Sequence, residues 1–138
     1  MPVHGDRVDA ESVRLACSLA RKTKGRIYVV YVIQVKRTLP LDADIASETL
    51  KAEEVLERAE RLAEEKDYEV ETDLLQAREV GPAIVDEAVE RGVDLIIMGV
   101  GYRRRFGEFD LGSAVPHVLK NAPCRVWICR EPMEGERP

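Results

Sequence analysis

Apolar and polar positions fall into blocks along this chain, and the period changes from block to block. Residues 26–33 contain IYVVYVI, an unbroken apolar run rich in β-branched side chains. A strand covered on both faces reads this way, whereas a strand with one wet face alternates. VDLIIM at residues 93–98 and RVWIC at residues 125–129 are shorter runs of the same kind. YEVETDL at residues 68–74 does alternate, setting Val70, Thr72 and Leu74 against Glu69, Glu71 and Asp73. That predicts a strand with one wet face, at a sheet edge.

Between the strand patterns the period lengthens to 3.6 residues. Val13, Ala16, Cys17 and Ala20 mark one amphipathic helix, and Ala52, Val55, Leu56, Ala59, Leu62 and Ala63 mark a second. A third is expected to open at Gly81-Pro82, with proline in the first helical position, to bury Ile84, Val85, Ala88 and Val89, and to stop at Gly92. A fourth is expected from Gly112-Ser113, with Val115, Val118 and Leu119 on one face and Pro116 in its first turn. The link at residues 34–46 has neither period and contains Pro40, so it is read as a mobile loop. Strands alternating with helices predict βαβ units and a parallel sheet, which places the chain in the α/β class.

Size and charge narrow the function classes. The 138 residues suit one domain, 1–138, with residues 130–138 expected as a flexible tail. With 21 basic against 26 acidic residues the net charge is −5, which argues against a nucleic-acid or membrane surface. No apolar run approaches the ~20 residues of a membrane span, and MPVHGDR lacks the apolar stretch of a signal peptide. The expected setting is cytoplasmic. Cys17, Cys124 and Cys129 have no metal-ligand spacing and are read as small buried hydrophobes. The two histidines, His4 and His117, have no spacing that suggests a shared metal. No Gly-x-Ser-x-Gly elbow, Walker lysine or His/Cys cluster points to catalysis. The carboxylates of EEVLERAERLAEEK fall at charge-pair spacing on a helix face.

The most specific stretch is DLIIMGVG followed, after a loop, by LGSAVPHVLKNAPCRVWICR. Met98-Gly99 at a strand end, Gly112-Ser113 at a helix start and Ala122-Pro123-Cys124 before the last strand resemble the signature of the universal stress protein family. PVHGD resembles the end of that family's first strand, and YVVYVI its second. The resemblance runs over essentially the whole chain. It implies an open five-stranded parallel sheet in the order 3-2-1-4-5, with helices on both faces. A ligand crevice would then lie outside the carboxyl ends of strands 1 and 4. Only Met1, Pro2 and Val3 precede the His4-Gly5 turn, so the first strand is expected to be short.

Carried over by position, the resemblance implies an ATP or other adenine-nucleotide site. Pro2, Val3, His4 and Val32 would lie on the adenine side, Met98 and Gly99 on the floor, and Gly112, Ser113 and Ala114 at the phosphates. Helix-start N–H groups and glycine suit a close anion. Gly101 and Arg103 belong to the same loop, and Arg103, Arg104 and Arg105 add charge. Tyr102 stands where the ATP-binding pattern has its middle glycine, and His4 where it has aspartate, which predicts weak binding. As bland readings, Ser113 is a helix N-cap, the arginines are solvated surface, and Tyr28, Tyr31 and Trp127 are core or interface aromatics. The function expected is a small dimeric binding or regulatory module rather than an enzyme, with slow ATP hydrolysis a further option for which the sequence shows no general base. Its alternative is a nucleotide-free structural or protein-interaction domain. A last strand of Arg125, Val126, Trp127, Ile128 and Cys129 is apolar for an edge, which predicts a homodimer closed through it.

Overall fold

In the computed structural model the described residues are 1–101, 104–105, 108–109 and 112–132. Their elements alternate as the periods predict. Helix α1 (Val8–Thr23) precedes strand β1 (Tyr28–Gln34), then α2 (Ala46–Glu65), β2 (Glu71–Ala77), α3 (Val80–Arg91) and β3 (Leu95–Val100). A two-residue antiparallel hairpin of β4 (Arg104–Arg105) and β5 (Glu108–Phe109) follows, then α4 (Ala114–Asn121) and β6 (Arg125–Arg130).

The unbroken apolar runs are explained by two cores, one on each side of the strands. Val29, Tyr31 and Ile33 of β1 and Ile97 of β3 pack with Val13 and Cys17 of α1 and Ala52, Val55 and Ala59 of α2. Ile96, Met98 and Val100 of β3 turn the other way, against Ile84 and Ala88 of α3 and Val115 and Val118 of α4. Successive residues of a strand point to opposite faces, so covering both faces requires apolar side chains at every position.

The strands form two parallel pairs, β1 with β2 and β3 with β6. The chain start lies beside β1. Val3 N–H donates to the Val30 carbonyl at 2.9 Å, and Val30 N–H donates to the Met1 carbonyl at 3.0 Å. These bonds make an isolated parallel bridge of Pro2 with Val30. The first strand is thus as short as the sequence implies, and among the described residues no ladder joins the two pairs.

Several expectations need correction. β2 begins at Glu71, three residues later than YEVETDL suggests, and runs to Ala77. Tyr68 lies before it, packs on the core and donates its hydroxyl hydrogen to the Gly25 carbonyl. The expected alternation is absent: Thr72 to Ala77 are all half-buried, because α2 and α3 both lean on this strand. The link after β1 is pinned. Val35 is buried and its N–H donates to the Ala77 carbonyl at 2.8 Å, while the Gln76 side-chain amide donates to the carbonyls of Leu41 and Ala43. Helix α3 starts at Val80, so Pro82 is its third residue, still where a missing N–H costs nothing. Gly92 stops it at φ 63°, in the left-handed region glycine favours. Val89 and Leu119 are exposed, because α3 buries the Ile84–Ala88 stripe and α4 the Val115–Val118 stripe, each one step around the helix. Cys17 is buried, but Cys124 and Cys129 are only half-buried, and all three are free thiols.

Candidate functional site

At the carboxyl ends of β1 and β3 the two strand pairs part, and a crevice of about 1180 Å³ opens between them. Three backbone segments and one strand residue form it. Pro2, Val3 and His4 come from the chain start, Met98, Gly99 and Gly101 from the end of β3, Gly112, Ser113 and Ala114 from the start of α4, and Val32 from β1. Every site position expected from the sequence lines this crevice except Arg103. That residue, like Tyr102, lies outside the described residues.

The His4 corner is held by Asp9, in the first turn of α1. Gly5 N–H donates to its carboxylate at 2.7 Å and His4 N–H at 3.3 Å. Gly5 sits at φ +90°, so this turn needs glycine, and a Cβ there would also press on Val55 at 3.2 Å. Burial raises the Asp9 carboxyl above its ordinary range, against the pull of the two N–H donors and of His4. The His4 imidazole lies 3.6 Å from the Asp6 carboxylate, an ion pair when the ring is protonated.

The floor glycine has a structural cause. A Cβ at Gly99 would come within 2.5 Å of Ser12 Oγ and 3.1 Å of Val8. Both residues are buried, and Ser12 donates its hydroxyl hydrogen to the Val8 carbonyl. Close packing of α1 on β3 therefore demands glycine here whatever the crevice holds. At Gly101 a Cβ would meet the Glu131 carboxylate at 3.3 Å, and that carboxylate pairs with Arg7 at 2.9 Å.

The start of α4 differs from the simple capping reading. Gly112 is at φ +72°, which explains the glycine. Ser113 stands at the N-cap but in helical conformation, and its side chain makes no cap hydrogen bond. The first-turn N–H groups of a helix have no intrahelical acceptor, and here those residues line the crevice beside a hydroxyl not spent on them. An anion is the chemistry such an end favours.

Asp6, Lys51, Val80 and Ile84 also line the crevice and were missed in the sequence. Lys51 had a signal. It lies four residues before Val55, hence on the same side of α2 as the buried stripe, and its exposed side chain borders the crevice from there. Val80 and Ile84 had none, since they resemble any core residues of a helix.

Fold and crevice define an α/β protein with parallel strand pairs and a crevice outside the carboxyl ends of its strands. The model of the universal stress protein family matches residues 1–130, and the chain belongs to that family. It is 30% identical to a universal stress protein of Methanocaldococcus jannaschii, the match covering 96% of this chain and 81% of that protein. Among solved structures, a universal stress protein from Archaeoglobus fulgidus superposes with a TM-score of 0.77 at 25% identity, over 92% of this chain and 93% of that one. A second, from Archaeoglobus fulgidus in complex with dAMP, gives 0.72 at 24% identity over 92% of each chain. A third, from Arabidopsis thaliana with AMP bound, gives 0.63 at 16% identity over 88% of this chain and 77% of that one. Among the described residues no helix is long and apolar enough to cross a membrane.

Proposed function

We propose that this protein is a non-enzymatic binding module whose crevice holds an adenine nucleotide weakly, with the phosphates at the start of α4. The observation that carries the reading is the convergence there of α4's first-turn residues, an uncommitted Ser113 hydroxyl and the chain at Met98–Gly101, opposite the Pro2–His4 corner. The structural neighbours with dAMP and AMP bound support the adenine nucleotide class. Weakness is expected because Tyr102 replaces the glycine of the ATP-binding pattern. Taken with the Met1–Val3 segment as central strand, the two pairs would line up in the order 3-2-1-4-5.

We further infer a homodimer through β6, which pairs with β3 alone among the described residues and leaves Trp127 exposed. A two-fold mate would cover that edge. Calorimetry with ATP, AMP and dAMP tests the nucleotide reading. Saturable binding that weakens with salt and with Ser113→Ala supports it. No heat at millimolar nucleotide would favour the alternative, an interaction domain with no ligand in its crevice. Sedimentation of the chain and of Val126→Lys tests the dimer, which predicts a dimer in the first case and a monomer in the second.

A further inference from the structure

The wall of the crevice on the α2 side carries two polar groups that a phosphate at the start of α4 leaves unused. Tyr31 of β1 is 7% exposed, its ring packed in the core of α1 and α2. Among the described residues its hydroxyl has no hydrogen-bond partner, yet no fully buried side-chain nitrogen or oxygen lacks one. The hydroxyl is therefore the part of the residue that open space reaches, and the space Tyr31 borders is the crevice. A buried ring ending in an uncommitted hydroxyl is a fixed donor and acceptor, held in place before any ligand arrives. Lys51 reaches the same wall from α2. Its stem lies against the Gly5 turn, where a Cβ on Gly5 would stand 3.9 Å from Lys51 Cε. Glu48 and Glu54 stand one turn to either side on α2, and neither forms an ion pair with it. The carboxylates at the near corner are engaged elsewhere: Asp6 lies 3.6 Å from the His4 imidazole, and Asp9 accepts the N–H groups of Gly5 and His4. Among the described residues, Lys51 is thus a crevice cation with no carboxylate paired to it.

Resting on the nucleotide reading above, we propose that Tyr31 and Lys51 form a second anion subsite, and that the ligand is a nucleotide carrying a second phosphate on its ribose. An ammonium and a hydroxyl hydrogen both donate, so the group they hold together is an acceptor, and an unpaired cation favours a charged one. With the first phosphate at the start of α4 and the base at the Pro2–His4 corner, the ribose edge is what remains for the α2 wall. Helix α4 packs on one face of the strands and α2 on the other. The two anion-binding groups therefore approach the crevice from opposite sides of the strands, which suits two separate phosphates better than one. A crevice of about 1180 Å³ has room for the second, being larger than the ~300–1,000 Å³ of most small-molecule sites. The Tyr31 hydroxyl fixes the position of the group, and Lys51 supplies the charge.

Calorimetry of the full chain with AMP and with the 2′,5′- and 3′,5′-bisphosphates of adenosine tests the subsite. The better bisphosphate should bind about tenfold more tightly than AMP at low salt, the worth of one charge-assisted hydrogen bond. Added salt should narrow that gap. Tyr31→Phe and Lys51→Gln should each close most of it, lowering bisphosphate affinity about fivefold to tenfold and AMP affinity about twofold or less. Lys51→Arg keeps the charge and should keep the preference. Thermal midpoints report folding of the variants separately, and the comparison of ligands on the parent chain needs no variant at all. Equal affinity of the parent chain for AMP and both bisphosphates, or folded variants that weaken every ligand alike, would overturn the subsite and leave the nucleotide reading standing. Binding of none of the three would overturn both.

Discussion

The gap between β1 and β3 is open at both ends, and the two openings are chemically opposite. The carboxyl end is lined by glycines, a helix start, a hydroxyl and charged side chains, and it suits a polar, anionic ligand. The amino end has apolar faces, through Ala16, Leu19 and Ala20 of α1 on one side and Ile84 and Ala88 of α3 on the other. One sheet axis yields both because helix starts collect at the carboxyl ends of parallel strands, while the amino ends are flanked by the apolar sides of α1 and α3. The comparison teaches that polar chemistry reaches this sheet axis through loops and helix starts, whereas strands and helix faces bring apolar surface to it.

The largest effect should come from Gly99→Val. Its side chain would drive into Ser12 and Val8, displacing α1 from β3, and overpacking of this kind costs ~3 kcal/mol. Urea unfolding reads the loss, and an unchanged midpoint would show that α1 can slide without penalty. Asp9→Ala should cost about 1–2 kcal/mol by leaving the His4 and Gly5 N–H groups without their acceptor. It should loosen the crevice end.

Acid should separate the two ends by sign. Burial lowers the Met1 amino group from 8.0 to about 5, so between those values the unfolded chain binds the proton that the folded chain refuses. That end loses stability as pH falls from 8.0 through about 5. Asp9 is shifted the other way: its folded value lies above the ordinary 3.8. Its contribution is fully present below 3.8 and is lost as pH rises through the raised folded value. Urea midpoints measured in half-unit steps should show both slopes in the parent chain, and only the amino-group slope in Asp9→Asn.

Smaller effects sharpen the crevice alone. Ser113→Ala should change stability by less than ~0.5 kcal/mol, because the hydroxyl makes no cap bond. It should nevertheless weaken nucleotide binding about threefold to tenfold, the worth of one hydrogen bond. Loss of stability with unchanged affinity would make Ser113 a cap and nothing more. Lys51→Gln should weaken the same binding by ~0.5 kcal/mol at low salt and by less as salt screens it.

Much of the fold was legible because burial on both faces leaves an unmistakable mark. The runs at β1 and β3 could be read directly, and so could the stripes of α1 and α2 and the Gly92 stop; the apolar run at β6 marked a strand but not its coverage, since that strand is at most half-buried and leaves Trp127 exposed. The run before β2 misled because half-coverage from two helices imitates neither template, and Tyr68 lies ahead of the strand, packed on the core. The crevice positions at Pro2–His4, Met98–Gly101 and Gly112–Ala114 were legible through their motifs. Lys51 could have been read from its place beside the stripe of α2.

By itself the sequence determined the alternation of strands and helices, the buried face of α1 and α2, the Gly92 stop of α3, and the family. These are properties of single segments, set by local periodicity and backbone preference. Tertiary structure alone decided that Gly99 is required by Ser12 and Val8, that Asp9 holds the His4 turn, and that Ser113 keeps its hydroxyl out of the cap. It also decided that Tyr28 and Leu95 line one cavity at the amino ends of β1 and β3. Each of these depends on the distance between residues far apart in the chain, and no local period encodes that distance.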